Sequence, residues 1–282
     1  MAASAFRIPE APSCIRKGEP LHTLLDRPAI DCLADNLSLV DPSFDAAAFR
    51  QTALEGLAPL GLLQRGDHFA RALRAHLPQR YSEAIDLLLR SLTPPLAQTE
   101  GNGMAVFFYL PHISFVARYG QAPEFNEGAD PFDASMTAQY ELTRRFSAEF
   151  SIRPFLIQQP ERTLAQLMTW TQDADPHVRR LCSEGARPRL PWAIRLPAFV
   201  ADPRPVLSIL EALKDDTSLY VRRSVANHVG DIAKDHPALA YELCDRWLDG
   251  ANAQVRWVIR HALRHPAKKG DATALKLRAA AK

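Results

Sequence analysis

A Val-Arg pair that recurs through the C-terminal half constrains the fold of this chain more than any other feature. Val178-Arg179, Val221-Arg222 and Val255-Arg256 follow one another at intervals of 43 and 34 residues. Each pair comes shortly after the end of an apolar helical pattern. A helix, a short turn and a second helix, repeated at about this interval, are typical of HEAT-type solenoids. The repeat therefore predicts an α-solenoid of HEAT-like helical pairs.

The helix that follows the second Val-Arg pair has a polar stripe as well as an apolar one. Valines recur every fourth residue from Val221 to Val229, and Arg223, Asn227 and Asp231 recur at the same spacing about half a turn away. Solvent accounts for such a stripe on most helices. The second helices of a solenoid, however, commonly line its concave face, where these side chains would meet a ligand.

Composition and periodicity together predict an all-α protein. No strand-like alternation extends beyond a few residues, and 47% of the 282 residues are hydrophobic, enough for a large core. We expect residues 1–16 to form a flexible N-terminus and residues 17–282 to form a single HEAT-like helical repeat domain. The expected parts of this domain are an N-terminal helical part at 17–92, a linker at 93–103 and a repeat core at 104–275.

The charge of the chain is unevenly distributed, although its formal net value is only +2. Residues 178–282 contain 19 Lys and Arg against 11 Asp and Glu, so that this part carries +8 and the rest carries −6. Such asymmetry indicates a polyanionic partner for the basic part. The basic residues are spread over helix starts and loops, which favours a folded basic face over a disordered arm. The alternative is a charged face that only keeps the protein soluble.

The segment Val178–Arg195 holds a dense group of functional side chains. It begins as a helix and then passes Gly185, Pro188 and Pro191, which prevent a continuous helix. Guanidinium groups suit phosphate, a carboxylate suits a developing cation, and an indole offers a flat face to a base. The combination indicates nucleic acid, whereas the opposing interpretation is a core tryptophan among solvated arginines. The side chains concerned are Glu184, Arg187, Arg189, Trp192 and Arg195.

Other kinds of site find little support in the sequence. The four cysteines include no Cys-x-x-Cys pair, which argues against a zinc ribbon or a disulfide framework. His261 and His265 lie four residues apart but lack the carboxylate of a His-Glu-x-x-His site, and no phosphate loop or nucleophile elbow is present. We expect no metal and no cofactor. Because no secretory signal or run of about twenty apolar residues is found, we expect a cytoplasmic protein and no membrane partner.

Several long motifs resemble the AlkC branch of the AlkC/AlkD-like HEAT-repeat DNA glycosylases, and the resemblance covers nearly the whole chain. The most specific motifs are Arg180–Trp192 (RLCSEGARPRLPW), Asp202–Val206 (DPRPV), Tyr220–Asn227 (YVRRSVAN) and Asp231–Pro237 (DIAKDHP). Further matches are Lys17–Leu21, Leu87–Ser91, Glu149–Phe155, His261–Leu263 and Lys269–Asp271. Many members of this branch carry an immunoglobulin-like domain after the helical array. We expect no such C-terminal domain here, because the sequence ends at Lys282.

The resemblance implies a DNA-repair enzyme that excises cationic N-alkylated bases, such as 3-methyladenine and 3-methylcytosine, from double-stranded DNA. It implies hydrolysis of the N-glycosidic bond, with fixed carboxylates stabilising an oxocarbenium-like deoxyribose and aiming a water at C1′. By resemblance, Glu149, Glu184 and Asp231 are the acidic site residues, and Trp192 packs against the sugar or the cationic base. We expect the protein to act as a monomer.

Phosphate recognition is expected from the arginines of the loop and of the helix starts. Arg153, Arg187, Arg189 and Arg223 are predicted to grip phosphates beside the lesion, together with Asn227, and to make DNA binding strongly salt-dependent. Two rival classes stay open, namely a non-catalytic HEAT-repeat protein that binds DNA and a HEAT-repeat scaffold that binds protein. The polar stripe argues against the scaffold, because a protein-binding face needs apolar ridges.

Overall fold

Prolines and short polar side chains determine where many of the helices begin. Pro176 and Pro237 occupy the first turns of their helices, where a missing N–H costs nothing. Asp175, Asn252 and Asp271 accept hydrogen bonds from backbone N–H groups at the starts of theirs. The computed structural model describes residues 6–282, and none of these residues lies in a strand. The all-α helical-repeat fold predicted from the sequence is confirmed.

The described chain forms two units, the first ending at Ser151 and the second beginning at Ile152. The first contains α1 (Arg27–Val40), α2 (Ala46–Leu54), α3 (Leu62–His76), α4 (Tyr81–Arg90), α5 (Leu110–Tyr119) and α6 (Phe132–Thr143). The second contains α7 (Ile152–Gln158), α8 (Pro160–Trp170), α9 (Pro176–Glu184), α10 (Pro197–Ala201), α11 (Leu207–Leu213), α12 (Leu219–Asp235), α13 (Pro237–Leu248), α14 (Ala253–Ala262), α15 (Arg264–Lys268) and α16 (Ala272–Ala280). Short 3₁₀ turns are at Leu21–Leu25, Ala105–Tyr109, Pro123–Phe125 and Arg204–Val206.

In the second unit, the recurring Val-Arg pairs mark the second helices of stacked pairs. Val178, Val221 and Val255 are all buried near the starts of α9, α12 and α14. Helix α9 packs against α12, and α12 packs against α14, while α8, α11 and α13 each pack against the helix that follows. Burial of one apolar face against the next pair holds this stack together.

The segment 93–103 has no helix, as predicted, but it is not the boundary between the two units. The Leu96 N–H donates to the Arg144 carbonyl at 2.8 Å, and the Arg145 guanidinium donates to the Thr93 carbonyl. These bonds tie the segment to the end of α6. The division instead falls between Ser151 and Ile152, where α7 begins.

The predicted flexible N-terminus, residues 1–16, lies partly outside the described residues. From residue 6 to residue 16 the chain is not helical, and it is attached to the first unit at two points. The Asn36 amide donates to the Arg7 carbonyl at 2.8 Å, and the Met104 N–H donates to the Pro12 carbonyl at 2.9 Å. Flexibility of this segment stays a prediction.

Candidate functional site

The connector that follows α9 is fastened from inside the second unit by one arginine. Arg153 of α7 is fully buried, and its guanidinium donates to the carbonyl oxygens of Ile194 at 2.5 Å, Gly185 at 2.9 Å and Arg187 at 2.8 Å. The predicted phosphate contact of Arg153 is therefore wrong. A side chain that faces three backbone carbonyls and has no exposed surface cannot reach a phosphate. Its observed role is to hold the connector in place.

Two buried carboxylates share one guanidinium at the start of this connector. The Arg187 Nη1 donates to Glu184 Oε1 at 2.6 Å, and its Nε donates to Asp231 Oδ2 at 2.8 Å. The side chains of all three residues are at most 10% exposed. The predicted phosphate contact of Arg187 is thus also wrong, because its Nη1 and Nε are occupied by acids and its side chain is withdrawn from solvent. Arg187 instead brings together Glu184 from α9 and Asp231 from α12.

The pKa of Glu184 is kept below its usual value in spite of burial. Desolvation is the largest single influence and raises this pKa, but the charges of Arg180 and Arg187, together with hydrogen bonds from Ser224 and Arg187, lower it by more. Arg180 adds its guanidinium 3.5 Å from Glu184 Oε1. The carboxylate is therefore ionised at neutral pH, although it is almost inaccessible to bulk water. A fixed negative charge of this kind stabilises a cation that develops nearby.

Trp192 occupies the exposed part of the connector in a strained conformation. Its φ is +66°, in the left-handed region that disfavours bulky side chains, and the residue is 59% exposed. Strain of this kind persists only where the surroundings impose it, and it clusters at functional sites. The predicted interpretation of Trp192 as a presented aromatic face agrees with its exposure, whereas a core tryptophan would be buried.

An open cleft of about 660 Å³ lies beside this tryptophan. Its lining includes Arg189, Trp192, Arg195, Lys234 and Asp235. Lys234 connects the cleft to the buried acids, because its Nζ donates to Asp231 Oδ1 at 2.7 Å while its side chain is 56% exposed. The cleft thus combines an aromatic face with three cationic side chains, and Lys234 links it to the buried Asp231.

The remaining predicted DNA-binding residues have different surroundings. Arg189 pairs with Asp235 through two bonds of 2.6 and 2.8 Å and stays partly exposed at the cleft. Arg223 is exposed on α12. Asn227 is half-buried, and its Oδ1 accepts from Arg264 at 2.9 Å. Phosphate contact by Arg189, Arg223 and Asn227 stays a prediction.

Glu149 belongs to the first unit and is half-buried there. Its Oε2 accepts a hydrogen bond of 2.8 Å from the Ser147 hydroxyl. The structure brings together Glu184 and Asp231 of the four predicted catalytic residues, and it places Trp192 on the adjoining cleft. The role of Glu149 stays a prediction.

Sequence reasoning missed two cationic residues near the acids, Lys234 and Arg264. Lys234 stands three residues after Asp231, on the same side of α12, and this spacing could have identified it. Arg264 begins α15 and reaches Asn227 of α12, a contact that no local pattern shows. Among residues 6–282, no group of three or more His, Cys, Asp or Glu side chains is placed to hold a metal ion.

The fold and the site define a helical-repeat protein with an acidic pair on two of its second helices and an exposed indole on the connector after α9. No family model matches the chain. It is 40% identical to the DNA-bound alkylpurine DNA glycosylase AlkC of Pseudomonas fluorescens, with a TM-score of 0.81 over 92% of this chain and 68% of that chain. The chain therefore belongs to the AlkC branch of the AlkC/AlkD-like HEAT-repeat family.

A second relative is the uncharacterized protein YhaZ of Bacillus subtilis (strain 168), which is 40% identical over 237 residues. That match covers 84% of this chain, and the chain spans 61% of the length of YhaZ. In the described part of the chain, no helix is both long and apolar enough to cross a membrane.

Proposed function

We propose that this protein is a DNA glycosylase that excises cationic N-alkylated bases, such as 3-methyladenine and 3-methylcytosine, from duplex DNA. The observation that carries the proposal is the pair Glu184 and Asp231, which one buried arginine holds beside a cleft with an exposed indole. The relationship to AlkC of Pseudomonas fluorescens supports it, because that enzyme is an alkylpurine glycosylase bound to DNA with an abasic-site analog. We also propose that the protein acts as a monomer in the cytoplasm.

The chemistry suits a base that already carries positive charge. Water attacks C1′ of the deoxyribose as the N-glycosidic bond breaks, and the bonding electron pair leaves with the base and neutralises its charge. The base therefore needs no protonation, and one proton of the water is released. Glu184 and Asp231 stabilise the oxocarbenium-like sugar and orient the water. Trp192 places its indole against the cationic base or the sugar, a contact worth about 1–2 kcal/mol when desolvated.

Glu149 is proposed as a third catalytic acid, and Arg189, Arg223 and Asn227 are proposed as contacts to the DNA backbone. Arg189 and Arg223 support this assignment because they are at least partly exposed, unlike Arg153 and Arg187. In the proposal, lesion selectivity comes from the charge of the alkylated base, because the site offers carboxylates to a cation.

The test measures base release and DNA binding on the same duplex. Purified protein is mixed with methylated duplex DNA, and released 3-methyladenine and 3-methylcytosine are quantified by chromatography. We expect release of both bases and none of unmodified adenine or cytosine. Glu149→Gln is expected to slow release, whereas Glu161→Gln, on the exposed side of α8, is expected to leave it unchanged. Tight binding without release would instead assign the chain to the non-catalytic DNA-binding class.

A further inference from the structure

A second groove, of about 720 Å³, lies on the second unit between α12 and the turn that joins α15 to α16. Its lining includes Gly230, Lys234, His265, Lys269 and Gly270. Lys234 also lines the cleft at Trp192, so the two depressions adjoin each other at the C-terminal end of α12. None of the predicted site residues lines this second groove.

Cationic groups crowd this groove. Burial lowers the pKa of His265, and the charges of four neighbours lower it further: Arg264, Lys234, Lys268 and Lys269. The pKa of Arg264 is likewise lowered, first by burial and then by Arg187. The neighbours of His265 show that positive charge is concentrated on this side of the groove, which Lys234 and Lys269 also line. An anion placed among these groups would be stabilised by that charge.

Carboxylates of the protein neutralise this charge only in part. Within residues 6–282, neither Lys268 nor Lys269 forms an ion pair, and both side chains are exposed. Asp271 is the acid that lines the groove, and its Oδ1 accepts a hydrogen bond of 2.8 Å from the Ala274 N–H at the start of α16. The ammonium groups of Lys268 and Lys269 are thus available to an external anion.

We propose that this groove binds the phosphodiester backbone of the DNA substrate, with Lys269 and His265 as phosphate ligands. The inference rests on the proposed function, and it deepens it by naming a backbone site that adjoins the cleft. Since Arg153 and Arg187 are committed to the interior, the backbone contacts expected of them must come from other cations. Lys234, at the junction, lies where a strand would pass from the groove to the cleft.

The test is the salt dependence of binding to an undamaged duplex and to one with an abasic-site analog. The full chain is compared with Lys269→Gln, Lys269→Arg and the control Lys276→Gln, which changes an exposed lysine of α16 outside the groove. Losing one phosphate contact reduces the slope of log Kd against log salt by about 1. Between 50 and 200 mM salt, the affinity of Lys269→Gln is therefore expected to fall about threefold less than that of the wild type.

The outcomes distinguish the proposed DNA binding by the groove from the proposed glycosylase activity. The proposal holds if Lys269→Gln lowers the slope equally on both duplexes, while Lys269→Arg and Lys276→Gln keep the wild-type slope. It is overturned if Lys269→Gln and Lys276→Gln are indistinguishable, or if single-stranded RNA of the same length displaces the duplex more readily than DNA does. If Lys269→Gln shows the predicted change of slope but the wild type releases no base, the proposed function is contradicted and the groove assignment stands.

Discussion

Arg187 neutralises the two buried carboxylates, Glu184 and Asp231, by donating to both. Its removal is expected to lower the stability of the fold, because two negative charges would stay buried without their partner. Arg187→Met leaves Glu184 and Asp231 close together without the guanidinium that they share. Breaking a buried ion pair by removing one partner costs about 3–5 kcal/mol. We expect a loss of this size in the free energy of unfolding, measured by urea denaturation.

Arg189→Gln is the matched control for this prediction. It removes an arginine from the same connector, but its pair with Asp235 is partly exposed on both sides. Such a pair contributes little to stability, because solvent screens it. Similar losses for the two variants would contradict the role assigned to Arg187.

Trp192 is expected to matter for the reaction and not for the fold. Trp192→Gly removes an exposed indole and relieves a φ of +66°. Because strain at such a position costs about 1–3 kcal/mol, the glycine variant should unfold with a free energy equal to or above that of the wild type. Its rate of base release should fall all the same. Both quantities are measured on one preparation.

The buried Trp247 of α13 supplies the comparison, since its indole packs in the core and donates to Glu211. Trp247→Ala should lose about 3–5 kcal/mol of stability. A marked loss of stability in Trp192→Gly would show that its indole belongs to the core.

At the scale of elements, Gly185 allows α9 to lie close to α7. A Cβ at Gly185 would come within 2.5 Å of Ile152 Cγ2 and 3.0 Å of the Leu181 carbonyl oxygen. Overpacking of this kind costs about 1–3 kcal/mol. Gly185→Ala is therefore expected to lower the free energy of unfolding by that amount and to slow base release, because the shift moves Glu184 at the end of α9.

Gly61→Ala, at the start of α3, serves as the control. A Cβ at Gly61 would meet Gln64 Oε1 at 3.5 Å, an ordinary van der Waals distance. We expect a change within about 1 kcal/mol. Equal losses at the two glycines would mean that the contact between α7 and α9 is loose.

Helix α12 also carries a histidine that makes stability depend on pH. Burial lowers the pKa of His228 to about 4, and Arg187 adds to the shift. Its Nδ1 lies 3.0 Å from the Ser183 carbonyl oxygen of α9. The unfolded chain thus takes up this proton near pH 6.5 and the folded one only near pH 4.

The contribution of neutral His228 to the free energy of unfolding is therefore expected to be fully present above about pH 6.5. It is lost as the pH is lowered towards 4, and the loss amounts to about 3 kcal/mol. His228→Gln should flatten this part of the curve of unfolding free energy against pH. An unchanged curve would contradict the buried, neutral state of this ring.

For the whole molecule, the fold was predictable because its signals are periodic and local. Val178, Val221 and Val255 repeat at helical-pair intervals, and burying them is what stacks α9, α12 and α14. The acids Glu184 and Asp231 were also named from the sequence. Their common partner was not predictable, because Arg187 meets Asp231 across 44 residues of sequence through tertiary packing.

Arg153 shows why the phosphate-binding residues were harder to predict. Arginine is usually exposed, so an arginine at the start of a helix is expected to face solvent, where it can reach a phosphate. The three carbonyls that bind Arg153 become neighbours only when the connector folds over α7. The exposed Lys269 carries no local signal of this kind, because only the turn between α15 and α16 brings it to the groove that Lys234 of α12 also lines.

The central claim is that the buried carboxylates Glu184 and Asp231 drive the release of a cationic base. Single-turnover release of 3-methyladenine from duplex DNA by Glu184→Gln and Asp231→Asn tests it most directly, with Glu161→Gln as the control. The account predicts a rate lower by about 10²–10³ for each acid variant, as for removal of one preorganised stabilising group, with DNA binding retained. Wild-type rates in both acid variants, at equal DNA binding, would contradict it.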